Sequence, residues 1–87
     1  MPTILIPPQM RDLTDGEASV RVSGRTVAEA LANVETIHPG FQGRLYREDD
    51  LHNSIVMVVD GQQSLIGIYQ PLQEESVVSF IPMFDGG

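Results

Sequence analysis

The chain of 87 residues finishes Phe80-Ile81-Pro82-Met83-Phe84-Asp85-Gly86-Gly87. Glycine carries no functional group, so the chemistry on offer here is that of a carboxylate at Gly87. A carboxylate is a poor electrophile and must first be activated, typically as an acyl-adenylate, inside another protein's active site. Gly86 and Gly87 have no side chain to block a narrow channel and reach backbone angles closed to other residues. Fully extended, the five residues from Met83 to Gly87 span at most about 17 Å, enough to carry an end away from the domain body. The competing reading is an ordinary frayed end, where composition drifts freely.

The remaining candidates are weaker. His38 and His52 fall at a helix end and in a loop, the second near Glu48, Asp49 and Asp50. No pair of ligands stands at helical or turn spacing, so a solvated acidic loop is expected and no metal site. There is no glycine-rich phosphate loop, no G-x-S-x-G elbow and no cysteine, which removes disulfides and any thiol nucleophile belonging to the chain itself. An autonomous enzyme with a bound cofactor is therefore not expected.

A net charge of −7, from twelve acids against five basic residues, opposes binding to nucleic acid or to an anionic membrane. A basic protein surface is the better partner. All five basic residues are arginines. The lack of lysine fits an arginine-preferring genome, and it also leaves an activated carbonyl no side-chain amine on its own surface. No apolar run is long enough to cross a bilayer and MPTILIPPQM lacks the regions of a signal peptide, so a cytoplasmic protein is expected.

The elements that must position the end are those of one small domain. Thr3 to Ile6 reads as a strand stopped by Pro7 and Pro8. Asp15-Gly16 marks a turn, and the alternation over 18–23 predicts a second strand in a hairpin with the first. Thr26-Val27-Ala28-Glu29 has capping-box form. Val27, Ala30, Leu31, Val34 and Ile37 then make one helical stripe, which must end before Pro39.

Residues 41–53 fit no clean period and read as a loop anchored by Leu45, Tyr46 and Leu51. Ile55 to Val59 is a strand, Asp60-Gly61 a hairpin turn, Leu65 to Tyr69 the return strand and Val77 to Ile81 the last strand. The order strand, strand, helix, strand, strand, strand predicts an α+β fold: a mixed four- to five-stranded sheet with one main helix across one face. Residues 1–82 form the domain and 83–87 a flexible Gly-Gly tail.

Alternate residues of a strand face opposite ways, so Ile55, Met57 and Val59 form one set, and Val56 and Val58 the other. The helix can cover only one of them. Val78 and Phe80 are expected in the core, with Ile81 facing the other way near Val58. The uncovered face is a candidate partner site.

These segments together resemble the MoaD/ThiS sulfur carriers, which are ubiquitin-like β-grasp proteins. The resemblance lies in Gln9, Arg11 and Leu13 after the first strand, Thr26-Val27 with Ala30-Leu31, Val58-Val59-Asp60-Gly61, Pro71-Leu72, and Val78 to Pro82 leading to Gly86-Gly87. It implies that a ubiquitin-activating-enzyme-like adenylyltransferase uses ATP to adenylate Gly87. Sulfur then replaces AMP, and the resulting thiocarboxylate serves a sulfur-accepting synthase.

Resemblance to ubiquitin, whose sheet face carries an apolar patch near its tail, implies that Val56, Val58, Ile81, Met83 and Phe84 contact the partner. Asp85 would then meet a basic residue at its channel entrance. Where many relatives have Asp-Gly-Asp before the last strand and small residues before the glycines, this chain has Glu74-Glu75-Ser76 and Met83-Phe84-Asp85. The stretch from Gly40-Phe41 through Arg44-Leu45 to Leu51-His52 is similar to the carriers that serve cysteine formation, with the molybdopterin type as the other branch. A ubiquitin-like modifier joined to proteins through Gly87, or a non-reactive interaction module, are the alternatives.

Overall fold

The computed structural model describes residues 1–47, 50–51 and 54–82. β1 (Thr3–Leu5) and β2 (Ser19–Arg21) pair antiparallel, with Thr3 opposite Arg21 and Leu5 opposite Ser19. Both strands are shorter than expected, yet one further bond extends the pairing at each end: Ile6 N–H donates to Ala18 O (2.9 Å) and Val22 N–H to Pro2 O (3.1 Å). Between the strands runs a 3-10 helix, Pro8–Thr14, absent from the sequence reading. It opens on proline, whose missing amide is no loss in a first turn, and closes at Asp15 and Gly16, both with positive φ. Met10 and Thr14 are buried beneath it.

α1 (Val27–Ile37) begins where the capping signal places it, with the Glu29 amide donating to Thr26 Oγ1 at 3.2 Å. Val27, Ala30, Leu31 and Val34 are fully buried, whereas Ile37, expected in the same stripe, is 57% exposed. The helix ends at Ile37 and the core at this end is filled by Phe41, which is fully buried. Gly24 lies so close beneath α1 that a Cβ there would stand 2.7 Å from Ala30 N. A side chain at that position would push the helix off the end of β2.

The expected loop over 41–53 is replaced, in its described part, by α2 (Phe41–Leu45) and a ribbon of β3 (Tyr46–Arg47) with β4 (Asp50–Leu51). A five-residue helix is too short to show a period. Its cap comes from the preceding helix: Glu35 Oε2 accepts from Gly40 N–H and Oε1 from Gln42 N–H, both at 2.8 Å. The Gly40 amide first, then that of Gln42, holds the Glu35 carboxyl below the usual carboxylate range.

β5 (Ile55–Val59) turns back through Asp60 (φ 51°) and Gly61 (φ 84°) into β6 (Gln62–Gln63). Two consecutive positive φ angles are what a type I′ hairpin requires, and the Asp-Gly pair supplies them. The return strand is thus not Leu65 to Tyr69. A two-residue turn sets Gln62 opposite Val59 and Gln63 opposite Val58, and the last ladder bond runs from Ser64 N–H to Met57 O (2.9 Å). The apolar run beyond winds into a 3-10 turn, Gly67–Tyr69, which buries Ile68 and leaves Leu65 90% exposed.

β7 (Val77–Pro82) lies at the centre of the sheet, whose order is β2-β1-β7-β5-β6. It runs parallel to β1 and antiparallel to β5. With α1 packed on one face of this mixed five-stranded sheet, the fold is the expected α+β, ubiquitin-like β-grasp.

Candidate functional site: the open sheet face and the strand leading to Gly87

β7 is held on both sides, by Thr3↔Val77 and Ile4↔Val78 with β1 and by five consecutive pairs with β5 from Ile55↔Pro82 to Val59↔Val78. Val78 and Phe80 point into the core beside Val59 and Met57. Val77, Ser79 and Ile81 therefore share the face that α1 leaves open. Ile81 is 47% exposed and Val77 41%, while Val56 and Val58 on β5 are half-buried.

The structure brings Val56, Val58 and Ile81 together on the face opposite the core, with Ile81 near Val58 as expected. Val56 stands directly opposite Ile81, and Val58 stands opposite Ser79. Val58 and Ile81 are thus diagonal neighbours on one face, two positions apart along the ladder, with the core pair Met57↔Phe80 between them. Leu5 and Val77 were not singled out from sequence, yet both are partly exposed on the same face, next to β7 and on it. The alternation of Leu5 with the buried Ile4 and Ile6 was the available signal. Met83, Phe84, Asp85, Gly86 and Gly87 lie outside the described residues.

The start of β7 is fixed by Asp60, the first residue of the hairpin turn. Its Oδ1 accepts from Val77 N–H (2.9 Å), its Oδ2 accepts from Ser76 Oγ–H (2.7 Å), and its own amide donates to Val77 O (2.9 Å). The Val77 amide first, and then the Ser76 hydroxyl, hold the Asp60 carboxyl below the usual carboxylate range. The folded pKa lies below the unfolded one, so this stabilisation is present above the unfolded value, about pH 4, and is lost as pH falls through the folded value. Asp60→Asn should therefore show a shallower fall in Tm between about pH 5 and pH 2 than the wild type, in a melting series across that range. Parallel curves would show that Asp60 gains nothing from its ionised form.

Among the described residues no group of three histidine, cysteine or acidic side chains is placed to hold a metal. His38 Nδ1 lies 4.0 Å from Asp15 Oδ2, at the limit of an ion pair. His52, Glu48 and Asp49 lie outside the described residues. No helix among the described residues is long and apolar enough to cross a membrane. A cavity of about 400 Å³ lined by Ser23, Gly24, Arg25, Glu29 and Leu72 sits beside Pro2, at the opposite end of the sheet from Pro82. It takes no part in the site.

No protein-family model and no curated protein matches the chain. Solved structures do. A chain of the crystal structure of the Amycolatopsis orientalis BexX/CysO complex is 31% identical over 100% of both chains, with a TM-score of 0.93. Mycobacterium tuberculosis CysO is 24% identical over 97% of this chain and 100% of that one, at a TM-score of 0.88. The small archaeal modifier protein SAMP1 of Haloferax volcanii, 20% identical over 99% and 98%, superposes with a TM-score of 0.80.

Proposed function

Since the chain belongs to the ubiquitin-like sulfur carriers of MoaD/ThiS type, we propose that Gly87 is adenylated at the expense of ATP and converted to a thiocarboxylate that donates sulfur in biosynthesis. The observation that carries this reading is the placement of β7. The central strand of the sheet, clamped by β1, β5 and Asp60, runs to Pro82, five positions before Gly87 in the sequence. The domain is a rigid handle and the end is its working part.

In the first step a carboxylate oxygen of Gly87 attacks the α-phosphorus of ATP, and pyrophosphate leaves. In the second, sulfide attacks the acyl carbon, the bond to AMP breaks, the remaining S–H proton passes to solvent, and a thiocarboxylate remains. The chain has no cysteine, so the sulfur comes from outside it. This protein acts as co-substrate of an adenylyltransferase and a synthase, and the catalytic groups belong to those partners. Its likeness to two CysO chains supports a cysteine-type acceptor over a molybdopterin-type one. Pyrophosphate release in the presence of ATP and the cognate adenylyltransferase tests the first step, and a variant lacking Gly87 should give none.

Docking uses the open face. Any enzyme that holds Gly87 must lie beside β7, and Val56, Val58 and Ile81 present apolar surface there, with Met83, Phe84 and Asp85 continuing toward the glycines. Val58→Asp should weaken binding of the adenylyltransferase by about 1–3 kcal/mol, read by titration calorimetry, with Tm close to wild type. Wild-type affinity in a folded variant would move the docking surface elsewhere.

A further inference from the structure

The 87 residues contain neither lysine nor cysteine, although five arginines supply positive charge. Amines and thiols are the side chains that capture activated acyl groups at neutral pH, so the surface holds no side-chain acceptor for the group this protein is proposed to carry. Resting on the reading that Gly87 is activated, we infer that no side chain of one copy can accept the activated Gly87 of another: side-chain conjugation always takes its nucleophile from another protein or a small molecule.

The step excluded is an aminolysis. An amine nitrogen would attack the acyl carbon of Gly87, the bond to AMP would break, the amine proton would pass to solvent, and an amide would join two copies. The amine left to consider is that of Met1, which is paired with Glu75 Oε1 at 3.9 Å. Thr3 pairs with Val77 in the parallel direction, so Met1 lies at the start of β7 and the glycines follow its far end. Pro82 is five residues from Val77, and Met1 two residues before Thr3, which at about 3.3 Å per residue separates Pro82 from Met1 by about 23 Å. Five residues reach at most about 17 Å, so Gly87 falls short of the amine of its own chain.

The test needs no activating enzyme, which keeps it independent of the proposed adenylation. The full chain is prepared as a C-terminal alkyl thioester by intein cleavage. It is held at about pH 10, where roughly half of ordinary lysine amines are uncharged. Its mass is followed beside that of Arg21→Lys/Arg25→Lys/Arg47→Lys, which adds three amines at exposed positions.

The wild type should decay to the free acid as a monomer. The triple variant should form covalent dimers and longer ladders that the wild type does not, with the junctions on the new lysines. Self-conjugation of the wild type through a side chain would overturn the inference. So would a variant that stays as monomeric as the wild type.

Discussion

Gly86→Val should abolish adenylation while leaving the domain folded. A β-branched side chain stiffens the backbone and widens the segment at the position proposed to enter the adenylyltransferase's channel. The loss in pyrophosphate release should be at least about a hundredfold, which corresponds to about 2.7 kcal/mol of transition-state free energy. The position follows the end of β7 by four residues in the sequence, and Tm should match the wild type. Unchanged turnover would show that the glycines are merely a loose end and that the channel argument is wrong.

Phe41→Ala has the largest expected effect on stability. Phe41 opens α2, is fully buried, and fills the core below the last turn of α1. Removing it costs the transfer free energy of a ring and leaves a cavity, together about 3–5 kcal/mol. For a domain of this size that is a large share of the total, and urea unfolding should show a midpoint displaced far to lower denaturant. Ile37→Ala is the control: at 57% exposure it should cost under about 1 kcal/mol. Equal losses at the two positions would mean that the α1 stripe runs to Ile37 and that Phe41 is a surface residue.

That contrast shows what the sequence made legible. α1 could be read because Thr26 caps it and four apolar residues repeat at helical spacing, both of them local signals. Asp60-Gly61 could be read because only a few residue types accept two positive φ angles in succession. α2 could not, since its cap is a carboxylate on another helix and its two buried residues, Phe41 and Leu45, make a single turn. The run Leu65 to Tyr69 misled because strand propensity says nothing about where a turn ends. The two-residue hairpin had already assigned pairing to Gln62 and Gln63.

The same distinction applies to the site. Alternation within β5 and β7 separated Val56, Val58 and Ile81 from the core set, a property of each strand alone. Leu5 and Val77 joined them only through the parallel pairing of β1 with β7, a contact between residues more than seventy positions apart. Register between such distant strands is set by how the whole sheet packs on α1. The partner-facing role proposed for Met83, Phe84 and Asp85 rests on their place in the sequence between β7 and the glycines.

The most direct measurement is the intact mass of the protein after incubation with ATP, its cognate adenylyltransferase and a sulfide source. Replacement of one oxygen by sulfur at Gly87 should raise the mass by about 16 Da, dependent on ATP and absent in Gly86→Val. An unchanged mass in a reaction where the enzyme adenylates a known carrier would contradict the proposed function, and high-mass protein adducts through Gly87 in place of the 16 Da shift would show a modifier of other proteins.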